Sequence, residues 1–461
     1  MPALPVPERS DERRLDGAHK ERRCRLCRCR SGPLTTRLLR RRAITALGTY
    51  GGVVLGVLGT LVAARQLGKH EFGLYVVVLS SAGFFQILLD LTVEEAMVKY
   101  GFRYQTSGRF GRLRRLYRRA LEVKCLGALV AGGALAILAP FADSIFGDHG
   151  LTTPMLLAAL LPIVSVPEAL AGAAIVLTGR YDVRGIFLFL TPAFRLAGIG
   201  IGAHYGVNEA VLGLLAGQVA ASLAVGAAGL VVFRGFPAAD HEALREDRRE
   251  IFRFVIQSSI ATGILSLRTT IAPALLGIVT NTVQAGYFRV AQGPQTGLSA
   301  LTTPARLILL TEQTRDWEAG STEAVFAGVR RFSLGALGLM IVLTPPLYVF
   351  MPDLVRIFYG SEYSPASNAA RLMLLAGAIQ LVIAWTKSFP VSIGRPGLRI
   401  VTHGIETLVM IPLVVAFGLA WDVTGAAAAA LVATGVFAAV WIVALVRIRR
   451  DTLGGVEPAK A

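Results

Sequence analysis

Apolar stretches of about 20 residues recur along this chain, each long enough to cross roughly 30 Å of hydrocarbon at 1.5 Å rise per residue. Twelve are legible, at approximately 43 to 64, 72 to 93, 121 to 141, 152 to 178, 184 to 204, 209 to 233, 254 to 279, 284 to 305, 332 to 351, 367 to 388, 399 to 420 and 425 to 446. A backbone facing lipid must satisfy its own hydrogen bonds, so every stretch is expected to be helical. The fourth is long enough to tilt or break at Pro162 and Pro167. With 54% hydrophobic and 17% charged residues, the composition argues against a soluble enzyme, a secreted protein or a nucleic-acid-binding module.

The charge distribution orients these stretches. The chain carries 47 Lys and Arg against 30 Asp and Glu, a formal +17. Of the 47, 39 fall in the segment 1 to 42, the even-numbered connections and the tail from Arg447. The opposite connections hold only Arg65, Lys69 and Arg356. Positive segments resist translocation, so both termini of this multi-pass protein are expected in the cytoplasm. The connections on the other side are short, the longest being about 142 to 151 and 352 to 366, so the work is expected inside the bundle.

Three local matches, in order and at equivalent places, suggest an internal repeat. Gly73 in "EFGLYVVV" corresponds to Gly286 in "QAGYFRVA", and Gly147 in "DSIFG" to Gly360 in "VRIFYG", each at an offset of 213. Gly179 in "TGRYDVR" corresponds to Gly394 in "IGRPGLR" at an offset of 215. The expected fold is therefore an all-α integral membrane protein of twelve transmembrane helices, in two parallel six-helix lobes around a central cavity. Such repeats commonly hold a transporter's substrate near the membrane midplane. The expected units are a basic disordered tail at 1–42, lobes at 43–233 and 254–446, a linker at 234–253 and a tail at 447–461.

The residues from Ala64 to Ser80, "ARQLGKHEFGLYVVVLS", followed by "LLDLTVEEAMVKYGFR" and a basic loop, resemble the opening of bacterial polysaccharide flippases of the multidrug/oligosaccharidyl-lipid/polysaccharide exporter superfamily. The resemblance continues through "NTVQAGYFRVAQ" (Asn281 to Gln292) and spans about residues 35 to 450. It implies 12 to 14 helices in two lobes and movement of undecaprenyl-pyrophosphate-linked sugars across the inner membrane, beside polysaccharide polymerases or other assembly proteins. In one respect the chain departs from many such relatives, which carry an acidic residue midway along the seventh span. Here the sequence reads "LSLRTTIAP" with Arg268, so no coupling role carries over to that position.

Ionisable groups inside a bilayer are costly and mark pathways or partners. Arg268 near the middle of span 7 and Arg289 two turns into span 8 are the leading candidates for holding a pyrophosphate, because a guanidinium makes bidentate bonds to phosphate oxygens and stays charged when buried. Each has an alternative role pinning helices. Arg195 in span 5 is a third candidate, with Glu168 as an equally plausible partner. Arg65 is either an outer phosphate station or a snorkelling end. Asp90, Glu94 and Glu406 are candidate ion-coupling carboxylates, with solvation or pairing to Lys99 as the plainer reading for the first two.

The basic, aromatic-bearing loop "KYGFRYQTSGRFGRLRRLYRR" is expected to fix topology and sit on anionic membrane lipid. Cys24, Cys27 and Cys29 supply three thiols amid many positive charges, with His19 as the only fourth ligand where a structural zinc site normally has four, so neither metal nor other cofactor is expected. Six scattered histidines form no cluster, and no D-x-D, H-x-x-H or P-loop is present. Two rivals stay open: an organic-cation antiporter of the same superfamily, which would favour acidic linings, and a membrane glycosyltransferase or polymerase, which would need positioned acid/base or metal-binding groups.

Overall fold

The computed structural model describes residues 33–89, 93–237, 244, 247–395 and 397–453. Among them the chain is helical and contains no strand. The first half runs through α1 (Pro33–Leu89), α2 (Val93–Thr106), α3 (Phe110–Leu138), α4 (Ala142–Phe146), α5 (Thr152–Ala158), α6 (Leu161–Leu177), α7 (Tyr181–Gly202) and α8 (Val207–Arg234). The second runs through α9 (Arg248–Val279), α10 (Thr282–Ala291), α11 (Gly293–Glu318), α12 (Thr322–Val349), α13 (Met351–Tyr359), α14 (Ser367–Val382), α15 (Phe389–Ser392) and α16 (Gly397–Leu453). Helix begins at Pro33, so the last part of the segment expected as a tail continues α1, and α16 likewise runs past Arg447.

Among the described residues, seven helical stretches are long and apolar enough to cross a membrane. Two of the seven each contain two of the expected spans. The stretch at 43–88 contains two of the expected spans, because α1 turns at Gly68, whose φ of 69° is open to glycine at little cost. The stretch at 397–452 likewise contains two, separated by non-helical backbone at Trp421 and Asp422. Proline interrupts other helices. Pro162 has no N–H for the Ala158 carbonyl, and the helix breaks between α5 and α6, as expected there, while Pro167 is accommodated inside α6. Pro294 sits just past the break between α10 and α11, which divides the stretch expected as one span at 284 to 305. In α9, among the described residues, Thr270–Val279 forms a shorter apolar stretch.

The turns gather at two ends. At the distal end, where α1 turns at Gly68, contacts join both halves. Arg65 Nε donates to the Phe358 carbonyl at 2.7 Å and its Nη2 to the Ile357 carbonyl, while the Lys69 N–H donates to Glu362 at 3.3 Å. Thr282 donates to Asp148, and Tyr363 donates to the Ala64 carbonyl at 2.8 Å. The repeat-matched glycines share geometry: Gly147 and Gly360 have φ of 65° and 109°, Gly179 and Gly394 of 68° and 71°. Gly73 and Gly286 meet each other, a Cβ on Gly286 falling 3.2 Å from the Gly73 Cα. Two repeats related by an axis along the bundle would make such contacts between equivalent positions.

The apolar core follows the same division. The largest buried cluster joins both halves through Phe72, Phe146, Phe288 and Tyr363. Toward the other, proximal end it gives way to separate clusters, one around Tyr100, Leu113 and Phe236 and one around Trp385, Phe389 and Trp441. Within the first half, α7 and α8 touch backbone to backbone, since a Cβ on Gly198 would lie 2.0 Å from the Gly213 carbonyl oxygen and the converse distance is 2.1 Å. Gly198→Leu should therefore cost about 3 kcal/mol, the upper end for overpacking, because the obstacle is main chain that no rotamer relieves. Fluorescence-detected size-exclusion chromatography should show most of the folded peak lost, whereas Gly133→Leu, facing open space, should leave it intact.

A clamp at the proximal end ties α9 to α2 and α3. Glu250 accepts from Arg103 at 3.2 and 3.3 Å and from Tyr100 at 3.2 Å, and Asp247 accepts from Tyr104 at 2.7 Å and Arg112 at 3.3 Å. The Arg103 hydrogen bond is the main cause holding the Glu250 carboxyl below the usual carboxylate range. A group lowered by folding stabilises above its unfolded pKa and loses that contribution as pH falls through its folded value. Wild type and Glu250→Gln should thus differ in Tm at neutral pH, and the gap should close only as pH falls below about 4.

Candidate functional site

Two cavities share one side chain. The first, about 390 Å3, is lined by Thr60, Tyr75, Ser80, Arg195, Thr270 and Arg289, among others, so both halves contribute to it. The second, about 770 Å3, is lined by Gln86, Glu94, Lys99, Lys124, Glu168 and Arg195, among others. Arg195 belongs to both linings. The smaller volume is within the range of pockets that hold small ligands.

Arg289 is carried on α10, whose N-cap Asn281 accepts from the Gln284 N–H at 3.0 Å. Its neighbours on that helix, Phe288 and Val290, are buried, which fixes the face on which Arg289 projects. The side chain lies deep in the protein yet is exposed, because the surface it presents is that of the cavity. Its one hydrogen bond among the described residues is from Nη1 to Gln292 Oε1 at 3.4 Å. Leaving a guanidinium so thinly engaged in a low-dielectric site is costly unless an anion or water joins it.

Arg195 is held more firmly. Its Nε donates to Gln218 Oε1 at 2.6 Å. Gln218 Nε2 in turn donates to Glu168 Oε2 at 2.8 Å and to Ser222 at 3.0 Å, and Thr191 donates to Glu168 Oε1 at 3.0 Å. The sequence suggests a direct Arg195–Glu168 pair, but Gln218 stands between the two and passes the interaction through its amide. Arg195 joins Arg289 at one cavity. Among the described residues, neither guanidinium has a carboxylate at salt-bridge distance.

The other candidates separate. The Arg268 backbone lies within α9, two residues before cavity-lining Thr270, and its side chain is outside those described. Arg65 braces the distal end through main-chain carbonyls. Asp90 lies outside the described residues. Glu94 lines the larger cavity but is paired with buried Lys124 at 2.6 Å, a partner 30 positions along the chain in place of Lys99. Glu95, beside it, accepts from Ser258 of α9. Glu406 is fully buried, 3.1 Å from His403 Nδ1, and belongs to the lining of neither cavity. The thiols Cys24, Cys27 and Cys29 lie outside the described residues.

A family model described as "Polysaccharide biosynthesis protein" matches residues 38–306. The inner membrane protein YghQ of Escherichia coli K12 is 24% identical over 357 residues, 71% of this chain and 94% of that protein. Among solved structures, a lipid II flippase MurJ in an inward closed conformation superposes with a TM-score of 0.69 at 10% identity, covering 87% of each chain. An inward-facing multidrug resistance MATE family transporter of the MOP superfamily gives 0.68 at 14% identity, covering 88% of this chain and 96% of its own. A MOP superfamily transporter from Pyrococcus furiosus, whose structure is described as having a binding pocket of reverse polarity, gives 0.56 at 14% identity, covering 89% and 95%. At these identities the superpositions establish the fold.

Proposed function

The chain belongs to the polysaccharide biosynthesis protein family, and we propose that it is a flippase carrying an undecaprenyl-pyrophosphate-linked oligosaccharide across the bacterial inner membrane by alternating access. The observation that carries this reading is the cavity lined by Arg195 and Arg289 from the two halves. Cationic forks in a water-accessible cleft suit a pyrophosphate, whereas an extruder of organic cations would need the opposite sign. The lipid-flippase likeness of MurJ and the reversed pocket polarity described for the Pyrococcus transporter are consistent with it.

Twelve crossings form two lobes, 43–233 and 254–446, joined by the linker at 234–253, with both termini cytoplasmic and the distal end periplasmic. The pyrophosphate is held by Arg195 and Arg289, with Arg268 of α9 assigned to the same anion by its place in the sequence, while the sugar occupies water and the polyprenyl tail stays in lipid. No bond is made or broken. Glu94 with Lys124, at the larger cavity, is the group placed to exchange a proton or cation during return. Glu406, enclosed beside His403, lies off that path.

Flipping of a fluorescent undecaprenyl-pyrophosphate oligosaccharide in proteoliposomes tests the reading. Protein-dependent loss of protected fluorophore is expected. Efflux of an organic cation by the same vesicles, with no lipid flipping, would transfer the assignment to an antiporter.

A further inference from the structure

A second concavity, about 660 Å3, lies on the first half and is separate from the arginine cavities. Its walls are α3 and α8, and α6 forms its floor. Pro167, Leu170 and Ala171 line it from α6, while Glu168 and Gly172 on the other side of the same helix line the larger cavity. The groove therefore opens away from the cleft. Its depth follows from two glycines of α8: a Cβ on Gly226 would lie 3.0 Å from the Pro167 Cβ, and one on Gly229 would lie 2.3 Å from the Ala171 Cβ. This close approach sinks α8 onto α6 and leaves α3 standing as the opposite wall.

Its lining is apolar along its length and basic at one end. Leu121, Leu223 and Leu230 are 45%, 68% and 48% exposed, a surface suited to hydrocarbon. At the proximal end Tyr117 meets Phe233 with ring centroids 4.6 Å apart, and Arg114 crosses from α3 to donate to the Phe236 carbonyl at 3.1 Å. Arg114 Nε is buried and has no hydrogen-bond partner among the described residues. Arg118, one turn further along α3, is 63% exposed at the mouth and bonded to Glu122 at 3.5 Å. No carboxylate belongs to the lining.

We propose that this groove is a binding site for one bilayer phospholipid with an anionic headgroup, an acyl chain lying along Leu170, Leu223 and Leu230 and the phosphate at Arg114 and Arg118. Charge complementarity selects the headgroup, since juxtamembrane cations favour anionic over zwitterionic lipid. The placement selects a bilayer lipid over the transported one. A lipid whose phosphate sits at Arg118 is separated by α6 from Arg195, so this site holds a resident lipid and does not depend on the identity of the cargo.

Native mass spectrometry of delipidated full-length protein, titrated with phosphatidylglycerol or phosphatidylcholine, tests the site. One phosphatidylglycerol per chain should be retained about tenfold more strongly than phosphatidylcholine. Ala227→Phe places bulk in the groove from an exposed lining position without touching the floor, and it should abolish retention of that molecule; Arg118→Gln should reduce it toward the phosphatidylcholine level. Equal retention of the two lipids, or full retention by Ala227→Phe, overturns the proposal. Displacement of the phosphatidylglycerol by an equimolar amount of undecaprenyl phosphate overturns the choice of a bilayer lipid as occupant.

Discussion

Arg289→Gln should lower the rate of lipid-linked oligosaccharide flipping by about 100-fold per folded molecule, with Arg289→Lys falling between it and wild type. A hydrogen bond to a charged group is worth about 1.5–3 kcal/mol, and a guanidinium offers two in parallel to phosphate. At about 1.4 kcal/mol per tenfold, loss of one good bond and weakening of the second reaches that factor. Lysine keeps the charge and loses the fork, which is why its intermediate rate discriminates. The competing role is structural: if Arg289 serves to hold Gln292, its partner at 3.4 Å, then Arg289→Gln should lower thermal stability and leave the transport rate of the folded fraction unchanged. Arg195→Gln should behave like Arg289→Gln but with added instability, because Gln218 and Glu168 lose the cation their network is built around. Measuring flipping beside Tm in the same proteoliposome preparations separates the two roles.

The contrast between these arginines shows what a sequence displays and what it withholds. Apolar length marks the helices directly, because crossing hydrocarbon leaves a helix few alternatives. Pro162 announces its break because the missing N–H is a local fact, and Gly147 and Gly360 announce matching turns because each needs a positive φ. Partnership is different. Glu94 finds Lys124 and not Lys99, and Arg195 reaches Glu168 only through Gln218, since these pairings depend on the rotation of neighbouring helices about their axes. An i, i+3 spacing does foretell the His403–Glu406 contact, because one helical turn puts both side chains on the same face. The joining of Arg195 and Arg289 at one cavity carries no such signal: they lie 94 positions apart, and the cavity that joins them is also lined by Thr60 and Tyr75 from the two sides of the bend at Gly68.

That bend leads to the second large effect. Gly73→Val should open the distal end and expose the arginine cavity from that side. A Cβ at Gly73 would lie 2.4 Å from the Thr282 carbonyl oxygen and 2.6 Å from its carbon, so the distal arm of α1 and the start of α10 cannot keep their distance. Overpacking of this kind costs about 1–3 kcal/mol, and it falls on the closed distal arrangement alone once the halves separate. The ratio of distal-open to distal-closed molecules should rise roughly 5- to 150-fold. The opposing contacts, Arg65 to the Phe358 and Ile357 carbonyls and Glu362 to the Lys69 N–H, are exposed hydrogen bonds worth about 1 kcal/mol each, and because wild type and variant both have them they set the starting ratio and leave the shift to the clash. Thr60 lines the cavity, so Thr60→Cys reports the change in a background where Cys24, Cys27, Cys29 and exposed Cys125 are replaced by serine. Labelling of that cysteine by a membrane-impermeant thiol reagent, applied from the periplasmic side, should be slow with Gly73 and fast with valine, and Arg65→Ala should shift it in the same direction by a smaller amount. Unchanged labelling in a folded Gly73→Val protein would mean that the Gly73–Thr282 approach does not seal the distal end, and that the two halves rock about some other contact.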